Sequence, residues 1–285
     1  MSALRSATRT AAVLALMAVF CVHASLTALL CVRGAARRRE KLALLGHWYA
    51  RMTLALLGVT ALQEGRLPGA PGRLIVANHM SYLDVVVMGA LWPACFVTSQ
   101  EVRRMPGLGW ICGAAGCLFV DRRSYKTMAA EVRAIARALE NGRDVVVFPE
   151  ATSTDGSAMK PFKPGLFHAA VLAKAPVVPV CLNYLEIDGR PVDAGNRDRL
   201  CWYGDMTFLP HLWALTGGRK TFVSASVLKP VAASDAKDAA ESAHRAVSAG
   251  FKPFRGAAVE EERSILEPVL APMRPSCPVP AYYLG

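Results

Sequence analysis

Short, almost continuous apolar runs alternate with helix-like stretches along most of the chain after residue 72. The runs cover residues 73–77, 94–98, 117–121, 144–149, 177–184 and 221–228. A run without polar alternation is typical of a strand that is buried on both faces, as in a parallel sheet covered by helices. The alternation of strands and helices therefore predicts an α/β fold with a largely parallel central sheet flanked by helices.

The clearest of the intervening helices is predicted over Ser124–Asn141. Val132, Ile135 and Leu139 share one face of such a helix, and Gly142 follows as a helix stop. This stretch is the strongest helical signal between two predicted strands, and it supports the layered α/β arrangement.

Residues 11–32 contain no formal charge and predict a membrane-anchoring helix. As a helix, the segment rises ~33 Å, against ~30 Å for the hydrocarbon core of a bilayer. No signal-peptide cleavage motif follows it, and more basic residues follow it than precede it. The positive-inside rule then places the rest of the chain on the cytoplasmic side of the inner (cytoplasmic) membrane. Whether the helix spans the bilayer or lies in one leaflet remains open.

A second apolar stretch, residues 42–62, is interrupted by His47 and Arg51 and contains Trp48 and Tyr49. Trp and Tyr favour the membrane interface, so this stretch predicts an interfacial helix. The alternative is a helix of the folded domain that packs against its core. We therefore expect a membrane anchor over 1–62, a folded domain over 63–251 and a proline-rich tail over 252–285.

Charge supports the membrane and argues against nucleic acid. The formal net charge is +11, and the first 41 residues carry +6 of it beside the apolar segment. Such clustering favours an anionic lipid surface, and no zinc-finger or RNP-like motif points to nucleic acid. The eight cysteines form no CxxC pair, so the pattern predicts neither a disulfide framework nor a metal site.

The first candidate for chemistry is the segment 78–84, NHMSYLD, directly after the predicted strand 73–77. His79 can take a proton from an attacking hydroxyl if a carboxylate, here Asp84, holds its other ring nitrogen. The pair forms most easily if His79 lies in a turn and a helix begins at Ser81. The alternative is structural, because Ser81 and Asp84 also have the spacing of a helix capping box. The two roles are compatible.

Three further segments stand at predicted strands. Residues 116–123, GCLFVDRR, end in Arg122 and Arg123, which suit a phosphate or carboxylate, although a solvated strand end has the same pattern. Residues 148–156, FPEATSTDG, carry Glu150 and lead to Lys163, in what is otherwise an ordinary polar loop. Residues 178–180, VPV, place a proline inside a strand, where it shapes the backbone.

Together and in this order, the four segments resemble the glycerolipid acyltransferase superfamily. The resemblance covers residues 73–184, and its first motif, Asn-His-x-x-x-x-Asp, matches in full. Known members acylate a lysolipid hydroxyl, best known in lysophosphatidic acid, from an acyl thioester. The resemblance implies that 63–251 is an acyltransferase domain with His79 as general base and Asp84 as its orienting group. It implies substrate contacts at the following positions: Asn78, Ser81, Gly116, Arg122, Arg123, Glu150, Thr152 and Lys163.

The third motif departs from the family pattern, in which Gly and Arg usually stand where this chain has Ala151 and Ser153. Lys160, Lys163 and Arg123 are candidates by charge to replace the missing Arg. The acceptor therefore stays open between lysophosphatidic acid and lyso-ornithine lipid, and the donor between acyl-carrier protein and acyl-CoA. The resemblance implies no cofactor and no metal. A lipid hydrolase is a remote alternative, since no GxSxG elbow is present, and a non-catalytic membrane scaffold is another.

Overall fold

An eight-stranded sheet forms the centre of the computed structural model, which describes residues 2–31, 34–121 and 125–254. Its strands in chain order are β1 Val59–Glu64, β2 Leu74–Ala77, β3 Cys95–Ser99, β4 Leu118–Val120, β5 Val145–Val147, β6 Val177–Ile187, β7 Arg190–Pro191 and β8 Thr221–Val227. All six predicted strands are present. Arg122, Arg123 and nearly all of the predicted tail lie outside the described residues.

The strand order across the sheet is β1-β8-β6-β2-β5-β3-β4, with β7 paired to β6. The five neighbours from β6 to β4 are parallel, β8 runs antiparallel to β6, and β1 is parallel to β8. The predicted α/β fold with a largely parallel central sheet is therefore confirmed. β2 and β5 lie in the middle, and their residues are almost completely buried because helices cover both faces.

Helices form a layer on each face of the sheet. In chain order they are α1 Ser2–Leu30, α2 Ala35–Leu57, α3 Tyr82–Leu91, α4 Gln100–Arg104, α5 Leu108–Ala114, α6 Tyr125–Glu140, α7 His168–Ala173, α8 Phe208–Thr216 and α9 Ala236–Gly250. Side chains from α1, α2, α3 and α8 share one apolar cluster with Ile75 and Val146 of the sheet. Side chains from α6, α7 and α9 share the other with Leu74 and Val145.

The predicted helix between β4 and β5 is present as α6. Val132, Ile135 and Leu139 are buried, as expected of one apolar face. Gly142 follows with a φ of 70°, and its amide donates to the Leu139 carbonyl, which ends the helix.

The first helix starts earlier than the predicted segment 11–32. By length and composition alone, residues 3–30 are sufficient to cross a membrane. The N-terminal half of α1 is nonetheless fixed to the folded domain: Arg5 donates to the Gly217 carbonyl, and Arg9 donates to the Gly218 carbonyl at 2.5 Å. The chain therefore docks the start of its apolar helix on the domain itself.

The predicted helix over 42–62 has the wrong bounds. The observed helix α2 runs from Ala35 to Leu57, and Gly58 ends it with a φ of 71°. A Cβ at Gly58 would lie 2.3 Å from the Arg219 carbonyl oxygen, so the close approach of two backbones requires glycine here. Residues 59–64 then form β1 beside β8, so the predicted boundary at 62 cuts through the sheet. β1 is only partly buried, and its mixed polarity does not have the pattern of a buried strand.

Candidate active site

His79 lies at the carboxyl end of β2, next to the carboxyl end of the parallel strand β5. Residues that follow neighbouring parallel strands meet at the same edge of the sheet, where α/β folds commonly bind ligands. The segment after β5 begins with Phe148, whose ring stacks on the His79 imidazole with a centroid distance of 4.2 Å. The first and third sequence motifs therefore meet at one point.

The predicted contact between His79 and Asp84 is present. Nδ1 of His79 lies 2.9 Å from Oδ2 of Asp84, and Asp84 has no exposed surface. Oδ2 also accepts hydrogen bonds from the amides of Met80 at 2.6 Å and Ser81 at 2.8 Å, while the Tyr184 hydroxyl donates to Oδ1 at 2.6 Å. A carboxylate surrounded by donors acts as an acceptor, so Nδ1 of His79 carries the proton of this contact. Nε2 is then left with its lone pair free to accept a proton.

The capping alternative is also realised. Ser81 is the N-cap of α3, its side chain accepts from the Leu83 amide, and Asp84 accepts from the Ser81 amide in a capping box. One carboxylate thus starts the helix and holds the imidazole. Ser81 has no exposed surface, and its hydroxyl accepts a hydrogen bond at the helix start. Its predicted contact with substrate stays a prediction.

The side chains of Asn78 and Glu150 form hydrogen bonds with the backbone. The Asn78 amide side chain forms two hydrogen bonds with the Leu182 backbone, at 2.9 and 2.8 Å, and so joins the motif to β6. Glu150 accepts from the His79 amide through Oε1 and from the Lys160 amide through Oε2, each at 2.7 Å. Both side chains are almost fully buried, and their predicted contacts with substrate stay predictions. They hold the backbone of His79 in place.

Burial raises the pKa of Glu150 above its usual value, and the amides of Lys160 and His79 offset part of this effect. The buried carboxyl is thus held by backbone donors, without a neutralising side-chain cation among the contacts described for it. Burying a carboxyl group costs free energy unless hydrogen bonds compensate for the lost water, and here the two backbone amides provide them.

Of the other predicted contacts, the structure describes Gly116, Thr152 and Lys163. Thr152 and Lys163 have exposed side chains and are absent from the described residues that line the cavity beside His79. Gly116 lies in the turn after α5 with a φ of 73°, between two residues that do line it. Arg122 and Arg123 lie outside the described residues, so their predicted contacts stay predictions.

An apolar cavity of about 310 Å³ adjoins His79. Its wall is formed by residues of α1, α2, α3, α5 and α8 together with Trp202, and its lining is mostly hydrophobic. The contribution of α1 and α2 was missed from the sequence, because both helices had been assigned to a separate anchor. The helical spacing of Leu42, Tyr49 and Thr53 in α2 is the signal that points to a face turned toward the cavity.

Comparisons with known proteins agree on one family. A model of the family described as Acyltransferase matches residues 59–183. A 1-acyl-sn-glycerol-3-phosphate acyltransferase of Neisseria meningitidis serogroup B is 33% identical over 190 residues, which cover 66% of this chain and 72% of that protein. A lyso-ornithine lipid O-acyltransferase of Pseudomonas aeruginosa is 35% identical over 205 residues, which cover 72% of this chain and 76% of that protein.

The chain belongs to the acyltransferase family. The crystal structure of the 1-acyl-sn-glycerophosphate acyltransferase of Thermotoga maritima has the same fold, with a TM-score of 0.62 at 19% identity, covering 88% of this chain and 96% of that one. The family match begins at residue 59, the first residue of β1, which is where the structure begins the sheet.

The departures of this acyltransferase from the family's third motif have structural consequences. Ala151 has a φ of 63°, in the left-handed region that favours the glycine usual at this position. Ser153, in place of the usual Arg, donates a hydrogen bond to the Trp202 carbonyl. The Trp202 amide in turn donates to the Met80 carbonyl at 2.9 Å.

Trp202 is a site residue that the motifs did not reveal. Its indole ring lines the cavity and meets the Tyr82 ring edge-on at 5.7 Å between centroids. Its Nε1 is buried and has no hydrogen-bond partner among the described residues. The acyltransferase thus closes its cavity with an aromatic loop that is tied to both the first and third motifs. Among the described residues, no three His, Cys, Asp or Glu side chains are placed to hold a metal ion.

Proposed function

We propose that this acyltransferase transfers a fatty acyl group from an acyl thioester to the free hydroxyl of lysophosphatidic acid, giving phosphatidic acid. The observation that carries the proposal is the arrangement of His79. Its Nδ1 is held by a buried carboxylate, while its ring lies in the wall of an apolar cavity. That combination provides a base next to space for an acyl chain.

The reaction requires His79 to take one proton from the acceptor hydroxyl and then to give it to the leaving thiolate. Nε2 of His79 takes the proton of the acceptor hydroxyl as its oxygen attacks the thioester carbonyl carbon. The carbon–sulfur bond breaks, and the leaving thiolate receives the proton from the imidazolium. Asp84 stabilises the imidazolium between these steps and keeps the ring in one orientation. The acyl group passes directly to the lysolipid, without an acyl-enzyme.

The cavity supports an acyl substrate. Its volume of about 310 Å³ lies at the lower end of the range for ligand sites, and its lining is predominantly apolar. Each methylene of a chain that enters such a cavity contributes about 0.8 kcal/mol. The donor is an acyl thioester of acyl-carrier protein or of coenzyme A. Both are acidic partners that a cationic enzyme attracts.

Lyso-ornithine lipid is the second candidate acceptor. Ser153 favours it, because the hydroxyl bonded to Trp202 brings no positive charge toward a phosphate. The similarity to the lyso-ornithine lipid O-acyltransferase of Pseudomonas aeruginosa is as high as the similarity to the Neisseria enzyme, and it supports the same alternative.

We place the enzyme on the inner (cytoplasmic) membrane, with its catalytic domain facing the cytoplasm. Large apolar side chains are exposed along α1, among them Val22, Leu26, Leu29 and Leu30. The basic residues at the start of α2 follow directly, which suits an anionic lipid surface.

An acceptor panel tests the proposal. The purified full chain is given a radiolabelled acyl thioester, first on acyl-carrier protein and then on coenzyme A. Lysophosphatidic acid, lyso-ornithine lipid and lysophosphatidylcholine are offered as separate acceptors. We expect labelled phosphatidic acid. Transfer to lyso-ornithine lipid alone would replace the acceptor and keep the chemistry, whereas labelled free fatty acid without any labelled lipid would indicate a hydrolase.

A further inference from the structure

A tight turn after α5 brings two cysteines together. The Cys117 amide donates to the Cys112 carbonyl at 3.0 Å, and the Gly116 amide donates to the Gly113 carbonyl at 3.1 Å. Gly116 has a φ of 73°. These two hydrogen bonds and the left-handed glycine define a Schellman turn, in which the first and last of these residues commonly place their side chains in contact. Here both contacting side chains are thiols.

The thiols interact with each other. A hydrogen bond between the side chains lowers the pKa of Cys112 and raises that of Cys117, and burial raises the pKa of Cys117 further. Cys112 is therefore the thiol that ionises first, and Cys117 lies beside it in the protonated form. A thiolate with a second thiol in contact is the arrangement that supports reversible oxidation.

Both cysteines line the cavity that adjoins His79, and the proposed acyl transfer uses neither. A third thiol lies close to the pair: Cys95 is buried and donates to the carbonyl of Gly116, the residue before Cys117, at 3.3 Å. Unlike the pair, Cys95 is not among the described residues that line the cavity. Cys112 and Cys117 thus differ from Cys95 in facing the space that we assign to the acyl chain.

We propose that Cys112 and Cys117 are a reversible dithiol–disulfide pair built into the wall of this cavity. The oxidant is a peroxide. The Cys112 thiolate attacks one peroxide oxygen, which breaks the oxygen–oxygen bond and gives a sulfenic acid and, after protonation, water. The Cys117 sulfur then displaces the hydroxyl as a second water and forms the disulfide. Two thiols and one hydrogen peroxide thus yield one disulfide and two waters.

Because the pair lies in the cavity wall, binding of the acyl donor affects its oxidation; this part of the inference rests on the proposed function. An acyl chain in the cavity covers the two sulfurs and shields them from reagents. Disulfide formation draws the sulfurs to about 2.05 Å from each other and reshapes the wall that the chain contacts. Acyl occupancy and thiol oxidation are therefore mutually exclusive.

The first experiment asks whether the pair forms in the absence of any donor. The full chain is treated with one equivalent of hydrogen peroxide, alkylated and digested with trypsin. The peptide spanning residues 105–122 contains Cys112 and Cys117 and no other cysteine. We expect this peptide to lose two hydrogen masses, to regain them with dithiothreitol, and to remain unchanged in Cys112→Ser and Cys117→Ser. A peptide that is still fully alkylated, or one cross-linked to the peptide of Cys95, would overturn the proposal.

The second experiment tests the link to the cavity in His79→Ala, in which turnover is blocked. Palmitoyl-CoA is expected to slow maleimide labelling of Cys112 by about fivefold or more, while free coenzyme A leaves it unchanged. Cys31, at the end of α1 and outside the cavity lining, is the internal control and should label at one rate throughout. Disulfide formation without protection by palmitoyl-CoA would overturn the coupling and locate the failure in the assigned acyl site, not in the cysteine pair.

Discussion

The hydroxyl of Tyr184 donates a 2.6 Å hydrogen bond to Oδ1 of Asp84, across a separation of 100 residues in the chain. The other oxygen of the same carboxylate holds Nδ1 of His79. Tyr184 lies in β6 and Asp84 in the first turn of α3, so this contact fixes the helix that carries the carboxylate against the sheet. Burial and the Asp84 charge raise the pKa of Tyr184 well above its usual value, which keeps the phenol protonated as a donor.

Tyr184→Phe is expected to lower kcat about tenfold, because Asp84 loses one of its donors and the imidazole is oriented less firmly. A hydrogen bond to a charged group contributes roughly 1.5–3 kcal/mol, and 1.4 kcal/mol corresponds to tenfold in rate. Steady-state transfer to lysophosphatidic acid measures the effect. Tyr203→Phe is the matched control, because it removes an exposed bond to Asp198. A kcat equal to that of the control would show that Tyr184 does not support the pair.

The sequence predicts the central strands and the His–Asp contact because each rests on local patterns. The apolar runs of β2 and β5 are continuous, and His79, Ser81 and Asp84 all lie within the seven-residue segment 78–84. The hydrogen bonds of Asn78 to Leu182 and of Glu150 to Lys160 could not be predicted, because only the tertiary fold brings these partners together. A polar residue in a motif has the same appearance whether it binds substrate or backbone.

The packing of the N-terminal helices on the domain could not be predicted from the sequence either. Hydrophobicity alone identifies α1, but it does not distinguish a face turned to lipid from one turned to the domain. Val13 and Leu54 are buried in the main core, whereas Leu26 and Leu30 are exposed. Trp202 was missed for a similar reason, since its loop reaches the cavity only through contacts with Met80 and Ser153.

Gly46→Leu tests the assignment of the cavity to the acyl chain. Gly46 lies in α2 and lines the cavity, and a Cβ at this position meets no atom within 4 Å. The leucine is expected to take the space of about two methylenes, at about 0.8 kcal/mol each. The ratio of kcat/KM for palmitoyl to octanoyl donors should fall about tenfold, and Gly46→Ala should give a smaller fall. An unchanged ratio would place the chain elsewhere.

Ser153→Arg tests how the third motif selects the acceptor. A guanidinium at this position adds a charge-assisted contact for phosphate, which is worth roughly 1.5–3 kcal/mol. We expect the preference for lysophosphatidic acid over lyso-ornithine lipid to rise about tenfold in competition assays. Ser153→Ala is the control, because it also removes the hydrogen bond to Trp202 but adds no charge. If both variants shift the preference equally, the loop contact and not the charge decides the acceptor.

The buried carboxyl of Glu150 predicts a pH dependence of stability. Its pKa is raised in the folded state by burial, so the folded chain binds this proton more tightly than the unfolded chain does. The stabilisation is complete below the unfolded pKa of 4.5 and is lost as the pH rises through the folded pKa, by about 1.4 kcal/mol for each unit of difference.

Urea unfolding of the wild type and of Glu150→Gln, measured from below pH 4.5 upward, checks the direction of this pH dependence. The free energy of unfolding of the wild type should fall relative to the variant as the pH rises, and the difference should become constant at higher pH. The exposed Glu241→Gln gives the baseline for one lost surface charge. A wild-type free energy of unfolding that rises relative to that of the variant as the pH rises would mean that the backbone donors outweigh the effect of burial.

The most direct test of the central claim compares acyl transfer by His79→Ala with transfer by His168→Ala. His168 is exposed on α7, so its replacement controls for the loss of an imidazole outside the site. Single-turnover transfer of a labelled acyl group to lysophosphatidic acid is measured on folded protein at saturating donor. We predict that His79→Ala loses at least a hundredfold in rate, in line with the typical contribution of a general base, and that His168→Ala keeps the wild-type rate. Transfer by folded His79→Ala at the rate of the control would contradict the assignment of His79 as the base.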